Sequence, residues 1–390
     1  MDAFLTDAEG LAGALQQLLN APATGETKPT LPTTVPTQGT GPDVALATLR
    51  PFLIDGARNL GAAGFFAHMD PPTPWITWAV HQWTASQNQN LLHPDTAPTA
   101  RDLETRLISW LAPIFGMDGG HLTPGSTVAN LTALWAAREA GATEVIASAS
   151  SHLSVRKSAH ILGLPYREVA WDSPGDVSQS AAVITAGATS TGEIEALDAA
   201  PAAAWRHIDA AWAGPLRLSG RYSALLDGLE NGDSVSISAH KWLFQPKESA
   251  LVLFSDSAAA HESVSLDGAY LSVPNVGVLG SHGATAAPLI ATLLAYGSEG
   301  IAGWIDHSME LADDLHELVV QSPVLEARTT PNAGVVNWRR TDISVDATMA
   351  GLPDDIFVSS TMIHGERWLR SVAANPMADP GLIVAAIEGV

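Results

Sequence analysis

The chain has 390 residues, of which 46% are hydrophobic and 15% charged, a composition typical of a folded globular protein. Its formal net charge of −22 argues against nucleic acid and anionic membrane surfaces as partners. Cysteine is absent, which excludes disulfides, thiolate metal sites and cysteine nucleophiles and fits a reducing compartment such as the cytoplasm.

Residues 1–50 are expected to form an N-terminal helix and arm. One face of the predicted helix over residues 1–20 collects four leucines, namely Leu5, Leu11, Leu15 and Leu18. This segment lacks the basic start of a signal peptide, and no apolar run of the chain reaches transmembrane length. Residues 21–42 are rich in Pro, Thr and Gly, which predicts an extended connector that wraps another surface.

Residues 51–287 are expected to form a large α/β domain. Helices are predicted over residues 101–116, 126–140 and 152–163, and short apolar strands over residues 144–149, 183–186, 205–209, 234–238 and 250–254. Helices that alternate with such strands are typical of a mostly parallel sheet.

Residues 288–390 are expected to form a smaller α+β domain, because the pattern changes after Pro288. Its predicted elements are a long helix over residues 288–321 that is broken near Gly297–Gly300, strands over 335–338 and 357–361, and a terminal helix over 380–389.

Lys241 has an unusual setting in this sequence. It lies between a β-prone segment and the apolar run Trp242-Leu-Phe244. A cation between apolar runs costs desolvation free energy unless something uses it. Burial lowers the pKa of a lysine, which frees its amine for Schiff-base chemistry. The alternative is a lysine at a strand end that reaches solvent.

Three further polar groups fall at predicted strand ends or helix starts, where open α/β sheets bind ligands. Ser126 and Thr127 follow Gly125 at the start of a helix, and the free N–H groups of such a turn suit a phosphate. Asp209 ends an apolar strand, and His152 follows another. Each has a structural alternative. Ser126 and Thr127 could simply cap the helix, Asp209 could form an Asx turn, and His152 could be a structural histidine.

Together, the lysine, the carboxylate, the phosphate-binding turn and the histidine describe a pyridoxal phosphate site. This cofactor needs a lysine for its Schiff base, an acidic partner for its pyridine nitrogen, a phosphate-binding turn and a ring to stack on. Other catalytic motifs are absent from the sequence, which has no G-x-S-x-G followed by Asp and His, no P-loop and no H-E-x-x-H. No metal site is expected.

Six motifs are similar in combination to those of a known family: Ala67-His-Met, Asp102-Leu-Glu104, Pro124-Gly-Ser-Thr-Val-Ala-Asn130, His207-Ile-Asp-Ala-Ala-Trp, Ser238-Ala-His-Lys-Trp and Trp368-Leu-Arg. From about Phe65 onward, the chain resembles the group II pyridoxal-phosphate-dependent amino acid decarboxylases. The resemblance implies fold type I, the aspartate aminotransferase-like fold. Its large domain has a mostly parallel seven-stranded sheet, and a smaller α+β domain follows at the C-terminus.

The resemblance also implies how the cofactor would be held. Lys241 would form the Schiff base, and Asp209 would bind the protonated pyridine nitrogen. Ala211 would lie against one face of the ring, and His152 would stack on the other. The phosphate would be held by Ser126, Thr127, Ser238 and His240.

Further residues would act on the substrate. Tyr270 matches a loop tyrosine that returns a proton after carbon dioxide leaves, with His152 as the alternative proton donor. Arg370 matches an arginine that pairs with a substrate carboxylate, a task that suits a guanidinium; its alternative is a surface arginine. The substrate pocket would be lined by Phe66, His68, Met69 and Asn88, although aromatic residues there fit a core equally well.

We expect a homodimer with active sites at the subunit interface and with the 270–283 loop reaching into the partner's site. The expected reaction converts an L-amino acid to its amine and carbon dioxide. The loop is short and has Ser281-His282 where the family often has Ser-Arg, which leaves loop closure open. Another reaction of the same cofactor (transamination, oxidative deamination to an aldehyde, carbon–carbon bond formation or β/γ-substitution), a non-catalytic homologue and the substrate's identity also stay open.

Overall fold

The computed structural model describes residues 8–20, 30–268, 271 and 274–390. The chain divides into two compact units, Met1–Asn59 and Leu60–Val390. The first unit contains helix α1 (Ala8–Leu19), helix α2 (Pro42–Arg50) and a π-helical turn (Pro51–Asp55). Helix α1 confirms the predicted N-terminal helix over residues 8–19, and residues 30–41, the described part of the predicted connector, form neither helix nor strand.

Seven strands of the second unit form the larger sheet. They are β1 (Gly119–Thr123), β2 (Glu144–Ala147), β3 (Tyr166–Glu168), β4 (Ser180–Thr185), β5 (Trp205–Asp209), β6 (Ser234–Ile237) and β7 (Ala250–Phe254). Their order is β1-β7-β6-β5-β4-β2-β3. Strand β7 is antiparallel to both of its neighbours, and the other neighbouring pairs are parallel. The mostly parallel seven-stranded sheet is therefore confirmed.

The direction of these strands decides where the site forms. Because β1 is antiparallel to β7, and β7 is antiparallel to β6, β1 points the same way as the parallel strands. The loops that follow β1, β2, β4, β5 and β6 therefore all leave from one edge of the sheet. This carboxyl edge is where open α/β sheets bind ligands.

Eight helices of the second unit are α3 (Trp75–Gln87), α4 (Arg101–Leu111), α5 (Ser126–Glu139), α6 (Leu153–Leu162), α7 (Ser257–Ser263), α8 (Ala287–Gln321), α9 (Val345–Ala350) and α10 (Pro380–Glu388). Helix α5 packs on β6 and β7 through buried alanines, whose small side chains allow close approach. No helix in the described part of the chain is long and apolar enough to cross a membrane. Helix α3 was not predicted.

A smaller antiparallel sheet follows near the C-terminus. Its strands are β10 (Leu325–Ala327), β11 (Val335–Arg340), β12 (Ser359–Ile363) and β13 (Glu366–Val372), and a two-stranded pair, β8 (Ser265–Leu266) and β9 (Asn275–Val276), lies apart from it. The sheet order is β10-β11-β13-β12. Strands β11 and β12 correspond to the two predicted strands, and β10 and β13 were not predicted.

Helix α8 packs against the cores of both sheets. Leu289 lies in the larger core, and Leu315 lies in the core of the smaller sheet. Gly297 interrupts the helix with φ 69° and ψ 172°, in the region where a break was predicted. The predicted domain boundaries after residues 50 and 287 stay predictions.

Strand β1 shows why some strands escaped prediction. It begins Gly119-Gly120, and glycine is depleted in strands. Gly120 has φ 152°, and a Cβ atom there would lie 2.1 Å from the Val252 carbonyl oxygen. Close pairing with β7, rather than local propensity, therefore forms this strand.

Substituting one buried and one exposed leucine of α8 tests how much the buried face of the helix contributes to stability. Leu289 is fully buried, whereas Leu294, on the same helix, is 73% exposed. Leu289→Ala is expected to lower the free energy of unfolding by about 2–5 kcal/mol, because it leaves a cavity. Leu294→Ala should change it by less than about 0.5 kcal/mol. Urea denaturation followed by circular dichroism measures both, and equal effects would contradict the packing described.

Candidate active site

The carboxyl edge of the larger sheet gathers most of the predicted cofactor residues. One pocket there is lined by Ser126, His152, Thr185, Gly187, Thr189, Asp209, Ala211, Trp212 and Lys241. Five of these residues were predicted from the sequence. Each comes from the end of a strand or from the loop or helix start that follows it.

Lys241 lies in the tight turn after β6. Its backbone N–H donates to the Ser238 carbonyl oxygen over 3.1 Å, and its own carbonyl accepts from the N–H of Phe244. Desolvation by the surrounding protein lowers the pKa of Lys241, and the nearby Asp209 carboxylate opposes this shift. The amine therefore loses its proton more readily than that of a solvent-exposed lysine.

Two tryptophans fix the loops that carry Lys241 and Asp209. The buried rings of Trp212 and Trp242 stack with centroids 4.0 Å apart. Trp242 Nε1 donates to the Ala373 carbonyl oxygen over 3.0 Å, and Trp212 Nε1 donates to that of Ala333 over 2.7 Å. The spacing between the two chemically important loops is thus set by packing.

Asp209 is 5% exposed at the end of β5. It accepts hydrogen bonds from Asn130 Nδ2 (2.8 Å), from Ser236 Oγ (3.2 Å) and from the backbone N–H of Ala211 (3.2 Å). The last contact is the Asx turn that was the structural alternative. The other two hold a buried carboxylate beside the Lys241 pocket, where a ligand cation could pair with it.

His152 caps the start of α6. Its Nδ1 accepts from the Ser154 N–H over 3.2 Å and lies 2.8 Å from Ser154 Oγ. The ring keeps exposed surface on the pocket side, and partial desolvation lowers its pKa while Asp209 opposes the shift. A neutral ring at the pocket rim is suited to stacking on a flat ligand.

The turn before α5 and the segment after β6 come together beside the pocket. Gly125, with φ 150°, precedes the free N–H groups of Ser126 and Thr127. A Cβ atom on Gly125 would lie 3.8 Å from His240 Cε1, and His240 Nε2 lies 3.1 Å from Ser238 Oγ. Burial lowers the pKa of His240 to about 4, so its ring is neutral at pH 7.

Two buried polar atoms in this part of the chain lack a hydrogen-bond partner among the described residues, namely Thr185 Oγ1 and His240 Nδ1. Such atoms cost free energy unless a ligand or water satisfies them. They lie around the Asp209 carboxylate, the start of α5 and Lys241. These residues fit pyridoxal phosphate, which carries a phosphate, a ring nitrogen and a ring hydroxyl. Among the described residues, no group of three or more His, Cys, Asp or Glu could hold a metal ion.

Arg370 is 8% exposed on β13, so the alternative of a surface arginine is wrong. Its Nη1 lies 3.4 Å from Ser359 Oγ, and its Nε has no partner among the described residues. Desolvation lowers its pKa, and Asp70, which forms an ion pair with Lys247, opposes this shift. A buried guanidinium with an unused N–H can receive a ligand carboxylate.

The other predicted substrate residues are dispersed. Phe66 is fully buried in the core of the smaller sheet, and Met69 is buried in the larger core, so the core alternative describes both. His68 packs edge-on against Phe357 with ring centroids 5.5 Å apart. Asn88 ends α3 in a left-handed conformation and lines a different groove with residues 281–285. Within one chain, Asn88 therefore lies outside the pocket that contains Lys241.

Tyr270 lies outside the described residues. In the described part of its loop, His282 Nε2 lies 3.3 Å from Glu104 Oε2, and Nδ1 lies 2.9 Å from the Gly280 carbonyl oxygen. The hydrogen bond to Glu104 raises the pKa of His282. A histidine cation can therefore stand where the resembled family often has arginine.

Several polar residues of the site were not predicted. Thr185 and Thr189 line the pocket, the buried Asn130 donates to Asp209, and the buried His207 contacts Asn130. Asn130 and His207 belong to two of the motifs that carried the resemblance. Their places in these motifs were the signal that could have identified both residues.

The comparisons with known proteins agree with this geometry. A model of the pyridoxal-dependent decarboxylase conserved domain matches residues 25–341. The chain belongs to this family.

Similar proteins include an L-2,4-diaminobutyrate decarboxylase of Rhizobium meliloti (strain 1021), which is 27% identical over 91% of this chain and 83% of its own. An aspartate 1-decarboxylase of Aliivibrio fischeri (strain ATCC 700601 / ES114) is 25% identical over 78% of this chain and 68% of its own. The structure of Oryza sativa TDC with PLP and tryptamine superposes with a TM-score of 0.83 at 19% identity, covering 98% and 97% of the two chains.

The fold-type-I expectation is thereby confirmed. The protein is a carboxy-lyase that uses pyridoxal phosphate to decarboxylate an amino acid.

The His282–Glu104 pair predicts a pH dependence. Because the pKa of His282 is raised in the folded state, the stability that the pair contributes is present below the ordinary pKa of histidine and is lost as pH rises through the raised value. Glu104→Gln should lower the pKa of His282, and Asp102→Asn, on the same helix, should leave it unchanged. A histidine NMR titration measures both, and an unchanged pKa in Glu104→Gln would contradict the pairing.

Proposed function

We propose that decarboxylation takes place in the pocket at Lys241 and that Asp209, His152 and Arg370 act there with it. The bound cofactor supplies an electron-accepting ring for the electron pair of the breaking Cα–carboxylate bond. The observation that carries the proposal is the convergence of Lys241, Asp209 and His152 on one pocket at the sheet edge.

Lys241 would hold the cofactor covalently and release it to the incoming amino group. Its lowered pKa supports this role, because the unprotonated amine is the nucleophile. Asp209 would keep a proton on the pyridine nitrogen, and its three hydrogen bonds hold the carboxylate in place before the ligand arrives. Ser126, Thr127, Ser238 and His240 would bind the phosphate.

Arg370 would orient a substrate carboxylate. Its burial without an ion-pair partner among the described residues supports this role. The relatives named above act on 2,4-diaminobutyrate and on aspartate, and the Oryza sativa structure contains tryptamine, so the family accepts side chains of different chemistry. We therefore propose an L-amino acid substrate without choosing among these side chains.

Tyr270, or His152 in its place, would return a proton to Cα. Tyr270 follows Lys241 by 29 residues, the spacing of the resembled family's loop tyrosine. His152 supports the alternative because it lies at the pocket rim.

We propose further that two chains form a homodimer with the active sites at their interface. Helix α3 supports this proposal, because Trp75, Trp78 and Trp83 are exposed on it while Thr77 and Val80, on the opposite face, are buried. Exposed large aromatic side chains gathered on one helix face are typical of an interaction surface.

We also propose that the protein works in the cytoplasm. The 390 residues contain no cysteine, so their fold does not depend on the disulfide formation that an oxidising compartment allows.

Incubation with a panel of L-amino acids tests the reaction. The wild type should release carbon dioxide and the matching amine in equal amounts, and Lys241→Ala should lose both activity and the visible absorption band of the bound cofactor. Lys157→Ala, on the surface helix α6, should retain both. Consumption of an amino acid without carbon dioxide would favour transamination or another reaction of the same cofactor. A protein that stays colourless after cofactor is added would favour a non-catalytic homologue.

Mixed dimers test whether the loop crosses the interface. If Tyr270 is the proton donor, Lys241→Ala and Tyr270→Phe chains each fail to form amine alone. The two are co-expressed with different tags and purified as the mixed species. If the loop serves the partner's site, the mixed dimer contains one complete site and regains activity. If Tyr270 serves its own chain, neither site is complete, and an inactive mixed dimer would contradict the proposal. A monomer in sedimentation equilibrium would contradict the dimer itself.

A further inference from the structure

One buried amide, that of Asn130 on α5, connects the residues proposed to bind the cofactor's ring nitrogen and to stack on its face. Asn130 Nδ2 donates to Asp209 Oδ2 over 2.8 Å and to Ser154 Oγ over 2.9 Å. Its Oδ1 lies 3.0 Å from His207 Nε2. The side chain is fully buried, and all three of its polar contacts are to other buried side chains.

These contacts fix which way the hydrogen bonds run. The Asp209 carboxylate accepts, so the NH₂ group of Asn130 faces Asp209 and the amide oxygen faces His207. His207 Nε2 must therefore carry a hydrogen. Burial lowers the pKa of His207 to about 4, so the ring is neutral at pH 7 and its Nδ1 is bare. Ser234 Oγ then donates to this Nδ1 over 2.9 Å.

The donor-to-acceptor direction of these hydrogen bonds is supported by Trp205, at the other end of the same network. Trp205 Nε1, which can only donate, gives its hydrogen to Ser234 Oγ over 2.8 Å. Ser234 is thus an acceptor from the indole and a donor to His207. Every group from Trp205 to Asn130 donates towards the pocket.

The network continues past Asn130 to His152. Because Ser154 Oγ accepts from Asn130, its own hydrogen is free to point at His152 Nδ1, 2.8 Å away. The backbone N–H of Ser154 donates to the same nitrogen. Two donors at Nδ1 require a bare nitrogen, so the hydrogen of the neutral ring lies on Nε2.

We propose that Asn130 is a positioning residue that orients Asp209 and fixes His152 as the Nε2–H tautomer, so that His152 presents a hydrogen-bond donor to the ligand. This inference rests on the proposed roles of Asp209 and His152. In this tautomer His152 can donate to a substrate carboxylate or deliver a proton from Nε2. It cannot take up a proton at Nδ1 without breaking its contacts to Ser154.

The tautomers are measured by long-range ¹H–¹⁵N correlation NMR of ¹⁵N-histidine-labelled full-length protein, without and with cofactor. Because the chain has 13 histidines, His152→Gln and His207→Gln spectra assign the two signals. In the wild type, both rings should be Nε2–H with an unprotonated Nδ1. An Nδ1–H tautomer at His152 or at His207 would overturn the proposal.

Asn130→Asp changes the chemistry with almost no change in shape. The new carboxylate would lie beside Asp209, and the two would share a proton instead of both ionising. It would also accept from Ser154, which takes the hydroxyl hydrogen away from His152. We expect His152 to shift towards the Nδ1–H tautomer and the dissociation constant of pyridoxal phosphate to rise roughly tenfold, the effect of weakening one hydrogen bond to a charged group. Unchanged tautomers would overturn the proposal.

Two further variants separate positioning from folding. Ser154→Ala removes the hydroxyl donor to His152 Nδ1 and keeps the Asn130–Asp209 contact and the backbone donor, so it should weaken the preference of His152 for the Nε2–H tautomer without changing cofactor affinity. Thr132→Val alters another fully buried polar residue of α5, whose hydroxyl donates to the Val128 carbonyl, and it should change neither measurement. A tautomer shift in Thr132→Val would mean that general disturbance of α5 is the cause. If the cofactor binds elsewhere, the affinity effect disappears while the tautomers of the cofactor-free protein still test the network.

Discussion

The burial of the Asp209 carboxylate at the end of a central strand is the constraint on which the site depends. Strands of a parallel sheet that are covered on both faces are usually continuous apolar runs. Strand β5 departs from this pattern with His207 and Asp209, and β6 does so with Ser234 and Ser236. Each of these polar residues has a hydrogen-bond partner in the network around Asn130 and Asp209. The cost of burying polar groups is therefore offset within one connected set of contacts.

Strand direction turns this buried carboxylate into an active site. Because β1, β2, β4, β5 and β6 all end at one edge, their loops deliver a helix N-terminus, a histidine, a threonine, the carboxylate and the lysine to one place. The stacked pair Trp212–Trp242 then fixes the loops beside Asp209 and Lys241. A decarboxylase of this family needs these groups preorganised, since the chemistry is the cofactor's and the protein supplies orientation and charge.

Sequence patterns predicted the parts of this arrangement that are set locally. The buried strand β7 is marked by a continuous apolar run, and α8 is marked by its long periodic pattern with a glycine break. Strand β1 begins with two glycines and is formed by pairing with the distant β7, whereas β13 has no regular alternation of polar and apolar residues, so neither strand carries a clear local pattern. Asn130 was marked only by its place in a matching motif, because its contact with Asp209 joins residues 79 apart in the chain, and nothing in the sequence marked Thr185. Phe66 is the opposite case, because it was predicted to line the substrate pocket and its side chain lies in the core.

Lys241 is proposed as the residue that holds the cofactor through a covalent bond. Borohydride reduction of the protein loaded with pyridoxal phosphate makes that bond permanent, and mass spectrometry of the proteolytic peptides then locates the modified lysine. One phosphopyridoxyl group per chain is expected, and it should be on Lys241. Modification of Lys247 instead, six residues further on and already paired with Asp70, or labelling spread over all four lysines of the chain, would contradict it.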